Sequence, residues 1–217
     1  MTPGQLARKL LGPKLFEPIG AIYRAAFVDL QRVAESFPEL PAGATLLEVG
    51  GGDGQMMNLL LRRYPDARAT MIDISPVVGA ALAPELRERV QVRAGTSIRD
   101  YAGESPALPD LIAICDVVHH VPPAARRQFF EDLGLLVGPN TVLVVKDMRP
   151  GSARAYLAYC ADRYISGDKQ VSFPHEREVE ELVGRSLPEL RPRRTALFEV
   201  DAPNFAIVFA RESSPPH

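Results

Sequence analysis

The chain has 217 residues, of which 46% are hydrophobic and 24% charged, and a formal net charge of −2. That length holds one domain with a sizeable core and is short for two. No run of Lys or Arg exceeds two residues, which excludes a surface built to hold a phosphate backbone, so no nucleic-acid partner is expected. The longest apolar stretches, 141–145 and 206–210, have strand length and fall far short of the roughly 20 residues that span a bilayer. Residues 1–11 carry two basic side chains but no continuous apolar core, so a signal peptide is not expected. The two cysteines, Cys115 and Cys160, make neither a disulfide framework nor a metal cluster, which fits a reducing cytoplasm.

Residues 3–37 lack strand alternation and place Ile22, Ala25, Ala26, Leu30 and Val33 at helical spacing, interrupted by Pro13 and Pro18. They read as two or three helices forming a cap over residues 1–40, with the main domain running from 41 to 212. From Ala44 the pattern changes. Short apolar runs at 45–49, 68–72, 90–93, 110–115 and 141–145 alternate with stretches of helical length such as 55–64 and 123–136. Nearly continuous apolar runs suit parallel strands buried on both faces, and their alternation with helices is the mark of a doubly wound α/β sheet. After Pro150-Gly151 a Tyr- and Ala-rich helical stretch (153–164), within a lid-like insert over 150–175, leads to a helix over about 175–183. Strand-like runs at 196–200 and 204–210 flank the turn Asp201-Ala202-Pro203. So close together, they must pair antiparallel.

The first strand runs into Glu48-Val49-Gly50-Gly51-Gly52-Asp53-Gly54. Glycines at the carboxyl end of that strand let backbone approach a ligand in the crevice where such sheets bind cofactors. Glycines at 50, 52 and 54 depart from the G-x-G-x-x-G spacing of dinucleotide sites. Glu48 would repel a pyrophosphate and suits an ammonium group. A nicotinamide-dependent oxidoreductase is disfavoured on both counts. Asp73, at the end of the second strand, can accept both hydroxyls of a ribose.

Glu48-x-Gly50-x-Gly52-x-Gly54 resembles motif I of the class I S-adenosylmethionine (SAM)-dependent methyltransferases, and the likeness extends over about residues 40–210. It implies a Rossmann-like seven-stranded, mostly parallel sheet that ends in an antiparallel hairpin. It also implies that Glu48, Gly50, Gly51, Gly52 and Gly54 hold the amino-acid end of SAM, Asp73 the ribose and Ile74 the adenine, with Gly95, Thr96 and Ser97 beside the base. Many members carry an Asp where this chain has Thr96, and a hydroxyl or backbone oxygen would then take the adenine contact. Asp116 opens the segment that lines the methyl-donor site in the family.

That segment, Asp116-Val117-Val118-His119-His120-Val121-Pro122, lacks the Asn/Asp-Pro-Pro-aromatic motif of enzymes that methylate nucleobase or amide nitrogens. It is similar to small-molecule methyltransferases of quinone, sterol, sugar and natural-product chemistry. Transfer to a hydroxyl needs alignment and removal of a proton, and a histidine is the natural base. His119, or its neighbour His120, is the candidate, with Asp147 after the fifth strand in the place where sugar O-methyltransferases pair an Asp with such a His. Lys146 reads as a solvated or snorkelling residue. No carboxylates accompany the histidines at ligand spacing, so no metal is expected. The acceptor pocket implied by the family draws on Tyr23 and Phe27, then Tyr156, Tyr159, Tyr164 and Phe173, an aromatic lining suited to a flat or lipophilic small molecule. The sequence thus points to a cytoplasmic, metal-independent, SAM-dependent methyltransferase of a small-molecule hydroxyl, monomeric or homodimeric, with S-adenosylhomocysteine (SAH) as product. A SAM-binding relative that catalyses another reaction, or only binds, is the alternative.

Overall fold

A computed structural model of the chain describes residues 30–151, 171–193 and 204–212. Its elements, in chain order, are α1 (Leu30–Glu35), β1 (Thr45–Val49), α2 (Gln55–Arg63), β2 (Arg68–Asp73), β3 (Val90–Ala94), α3 (Ile98–Gly103), β4 (Leu111–Cys115), α4 (Pro123–Leu133), β5 (Val142–Met148), α5 (Glu176–Ser186), β6 (Leu190–Arg193) and β7 (Asn204–Arg211). Short 3-10 turns at Pro84–Arg89, Val118–His120 and Gly134–Leu136 join them. The seven strands form one sheet in the order β3-β2-β1-β4-β5-β7-β6, in which β7 runs antiparallel to both neighbours and the pairings among β1 to β5 are parallel.

Alternation along the strands sends side chains to two cores. Leu47, Val49, Ile112, Ile114, Leu143 and Val145 pack under α3, α4 and α5, against Tyr101, Phe130, Val179 and Val183. On the opposite face Leu46, Leu111, Ala113 and Val144 pack under α1 and α2, against Ala34, Met57, Leu60 and Leu61. Strands β1 to β4 begin and end within a residue of the expected apolar runs, and β5 runs three residues beyond its own, to Met148. Burial on both faces marks β1, β4 and β5, whereas β3 lies at the edge and is largely exposed. Pro123 starts α4, where its missing N–H is no loss. The stub of the N-terminal region that is described is strapped to the end of α2. Tyr64 Oη donates to Pro38 O (2.5 Å), and Arg63 donates to Phe37 O and Glu39 (both 2.8 Å).

One strand was not anticipated. Besides β5, β7 pairs with β6 at Leu190–Arg193, while the expected run at 196–200 and the turn at 201–203 lie outside the described residues. β6 carries Pro192 and buries only Leu190, the pattern an edge strand tolerates. The chain winds outward from β1 through β2 to β3, then crosses over to β4 and β5. The switch point therefore lies between β1 and β4, and the loops at their carboxyl ends face one crevice.

Candidate functional site

On one side of the crevice β1 delivers the glycine loop. Gly50, Gly52 and Gly54 adopt φ of 73°, 50° and 89°, the left-handed region open to glycine. A Cβ on Gly50 would overlap Val117 Cγ2, and one on Gly51 would sit 2.6 Å from Met71 Cε. The loop thus folds directly against the segment leaving β4. Gly50 and Gly51 N–H both donate to Ile72 O, and Gly52 N–H donates to Asp73 Oδ2 at 2.9 Å. The other Asp73 oxygen accepts from Ser75 N–H at 2.8 Å. Asp73 therefore ties the loop to the end of β2 while keeping lone pairs for a further donor.

Glu48, the last-but-one residue of β1, is 3% exposed, and its Oε2 has no hydrogen-bond partner among the described residues. Burial, then the negative charges of Asp53 and Asp73, push its carboxyl up to about 8. A buried carboxylate oxygen left open beside a glycine cradle fits a cationic group, and the donor set here fits the amino-acid end of SAM. Ile74 is 81% exposed beside Asp73, a large apolar surface open at the rim. Gly95 (φ 66°) and Thr96 close that rim by donating N–H groups to Ser75 O and Asp73 O, both at 2.9 Å. The Ser97 hydroxyl engages Asp100 at 2.6 Å in the capping box that starts α3.

Across the crevice the 3-10 turn Val118–His120 lifts His119 from the end of β4. His119 Nδ1 lies 2.7 Å from Asp147 Oδ1, and His119 N–H donates to Asp147 Oδ2 at 3.0 Å. Both side chains are buried. Met148 N–H adds a third bond to Asp147, at 2.7 Å. Burial alone would raise the Asp147 carboxyl. The His119 charge and hydrogen bond, the Met148 N–H and Lys146 outweigh it and hold Asp147 below its usual value. An ionised Asp147 selects the Nδ1–H tautomer, which makes Nε2 the basic nitrogen. His120 is exposed, with its ring centroid 4.0 Å from that of His119. Phe173 is the expected pocket aromatic that falls among the described residues, and its ring lies 5.0 Å from His119. Tyr23, Phe27, Tyr156, Tyr159 and Tyr164 lie outside them.

Lys146 corrects the sequence reading. It is fully buried, and its Nζ donates to both oxygens of Asp116 at 2.6 and 2.7 Å. A lysine inside a strand covered on both faces must be paired, and the signal was there in an apolar run interrupted by one cation. The structure also gathers what spacing could not. Asp116, His119 and Asp147 bring one ligand-type atom each to within 4.8 Å of one another. In this arrangement the charge of Asp116 is met by Lys146, while Asp147 grips His119. The Cys115 thiol, pushed well up by burial and then by Glu48 and Asp116, stays protonated.

Arg126, unnoticed in the sequence, is 1% exposed. It donates to Val121 O (3.1 Å), to Glu178 (2.5 Å) and to Ser172 O. Ser172 N–H in turn donates to His119 O at 2.9 Å. Its spacing from Phe130 and Leu133, four and seven residues on, placed it on the buried face of α4.

A family model described as a methyltransferase domain matches residues 21–186. No curated protein matches the chain by sequence. Among solved structures, the mitomycin 7-O-methyltransferase aligns with a TM-score of 0.70 at 20% identity, over 95% of this chain and 60% of its own. An O-methyltransferase family protein from Burkholderia thailandensis aligns at 0.65 and 18%, over 89% and 59%. Human N-acetylserotonin methyltransferase, solved with SAM, aligns at 0.67 and 17%, over 89% and 55%. At these identities the likeness is one of fold, and this chain spans roughly three fifths of the length of each.

Proposed function

Because the chain belongs to the methyltransferase domain family, we propose that it transfers a methyl group from SAM to a hydroxyl oxygen of a small molecule, with His119 as general base and Asp147 as its orienting partner. The observation that carries this reading is the buried His119–Asp147 pair at 2.7 Å, beside a crevice floored by the glycine loop. Glu48 and residues 50–54 would hold the amino-acid end of the cofactor, Asp73 the ribose, and Ile74 with Gly95, Thr96 and Ser97 the adenine. When bound, SAM supplies an electrophilic methyl carbon on a sulfonium.

His119 takes the hydroxyl proton at Nε2 as the oxygen becomes the nucleophile, and Asp147 stabilises the imidazolium that results. Asp147 also grips the His119 backbone, so the ring is fixed in orientation before the acceptor arrives. His120, exposed against the His119 ring, would line the mouth of the site. An oxygen acceptor accords with the named reaction of the mitomycin 7-O-methyltransferase, whose fold this chain shares. No described helix is long and apolar enough to cross a membrane, and we infer a cytoplasmic setting from the cysteine usage.

The test is calorimetric titration of the chain with SAH, with NADH in parallel. Micromolar SAH binding and no NADH binding support the cofactor assignment. The reverse result overturns it. Transfer of labelled methyl from SAM to phenolic acceptors by the wild type, and its loss in His119→Ala, then tests the base. Unchanged turnover in that variant would leave alignment alone to explain catalysis.

A further inference from the structure

The Asp116–Lys146 pair is lopsided in a way that a structural ion pair does not require. The Lys146 side chain is 1% exposed, whereas that of Asp116 is 33% exposed. The cation is sealed within β5, and the anion, just past the carboxyl end of β4, is partly open. A buried ion pair is weak as a stabilising device, and an apolar pair of similar shape often serves better. Asp116 also sits at φ 58°, a left-handed conformation that a non-glycine residue holds at a cost of about 1 kcal/mol. Its own N–H donates to Lys146 O at 2.9 Å. Backbone and side chain of Lys146 therefore both act to aim this carboxylate.

A carboxylate oxygen of Asp116 lies within 4.8 Å of a ring nitrogen of His119. If the base takes the proton of one hydroxyl, that hydroxyl has no second proton to give Asp116. The Asp116 carboxylate thus borders the base, and a donor on the atom next to the reacting oxygen of the same molecule is placed to reach it with a bond of about 2.7–3.0 Å. Because Lys146 neutralises Asp116, the pair requires no cation from its ligand and suits a neutral donor.

Resting on the methyl-transfer reading above, we propose that Asp116 recognises the acceptor and not the cofactor, as its place at the start of the methyl-donor segment had suggested. The acceptor carries a second hydrogen-bond donor, a hydroxyl or an amine, adjacent to the hydroxyl that is methylated. Lys146 is the positioning residue that presents the Asp116 carboxylate to it.

The test uses the full chain saturated with SAH and titrated calorimetrically with catechol and with phenol. The wild type should bind catechol at least about tenfold more tightly than phenol, the effect of one charge-assisted hydrogen bond. Asp116→Asn keeps the left-handed backbone accessible and lets its carbonyl oxygen face Lys146, turning an amide donor toward the acceptor. In that variant the preference should shrink to about threefold or less, with SAH affinity within about threefold of the wild type. The ratio of two ligands in one preparation is insensitive to the folded fraction. Lys146→Met should lose catechol affinity selectively, leaving phenol unchanged, which a merely structural lysine would not do. If Lys146→Met fails to bind SAH, Asp116→Asn decides alone. Equal binding of the two probes by wild type, an unchanged preference in Asp116→Asn, or no binding of either probe overturns the inference. Failure of the wild type to bind SAH would bring down the methyl-transfer reading instead.

Discussion

The two sides of the crevice are built by opposite means. After β1 the chain makes its surface from backbone: three left-handed glycines, amides tied to Ile72 and Asp73, and a single buried acid, Glu48. After β4 and β5 the surface is side chain, with His119, Asp147, Asp116 and Lys146 interlocked and mostly buried. A ligand whose shape never varies can be held by backbone. Moving a proton needs titratable groups fixed in charge and direction, and those must be packed. The contrast implies that substitutions on the β4–β5 side should alter turnover, and those on the β1 side should alter cofactor affinity.

The largest effect should come from Asp147→Asn. The amide keeps the shape but no longer selects the Nδ1–H tautomer, so kcat should fall about 10²–10⁴-fold while SAH affinity stays within about twofold. A parallel loss of SAH binding would erase the distinction between the two sides.

Glu48→Gln comes next. SAH affinity should drop about 10–100-fold, the range for loss of a charge-assisted bond in a buried site, as calorimetry would report. The same variant sharpens the comparison through pH. With a folded value of about 8 against an ordinary 4.5, the folded chain keeps a proton between those values that the unfolded chain has released. Stability of the ligand-free protein therefore falls as pH rises through that window. Thermal melts at pH 5 and pH 8 should show a slope in the wild type that is reduced in Glu48→Gln. An equal slope in both would place the titration elsewhere.

Gly50→Ala meets both a left-handed φ and Val117. It should weaken SAH binding about tenfold and destabilise the fold by about 1–3 kcal/mol. Adding Val117→Ala should restore part of the stability, because only the overlap is relieved. The smallest effect belongs to the opposite end of the two central strands. There Asp110 accepts from Thr45 N–H and Oγ1 at 2.8 and 2.9 Å, where β1 and β4 begin. Asp110→Ala should cost about 1 kcal/mol in a denaturant melt and leave SAH affinity untouched.

The same division governs what could be read without coordinates. Glu48, the glycines and Asp73 follow one another along a strand–loop–helix–strand, so local spacing carries the cradle. The central strands β1, β4 and β5 were legible because double burial writes them as apolar runs. The His119–Asp147 contact joins residues 28 apart, and likeness to a family suggested it where spacing could not. The Lys146–Asp116 pair and the Arg126 clasp were missed. Lys146 interrupts an apolar strand run and Arg126 shares the helix face of Phe130 and Leu133, yet residue type taken alone assigns both to solvent. α3 was overlooked although Ser97 and Asp100 carry its capping-box signature, because at six residues it has too few turns to show a period. β6, with two arginines and a proline over one buried leucine, had no alternation to find.

The adjacency of Lys146 and Asp147 has a consequence for how the molecule is made. Consecutive residues of a strand point to opposite faces, so one grips Asp116 and the other His119 from the two sides of the sheet. A slip of β5 by a single residue would exchange those faces. It would bring the ammonium toward the imidazole and a carboxylate toward a carboxylate, inside a core that screens neither. Misthreaded chains would then be penalised by like charges at the very place where the native chain is joined.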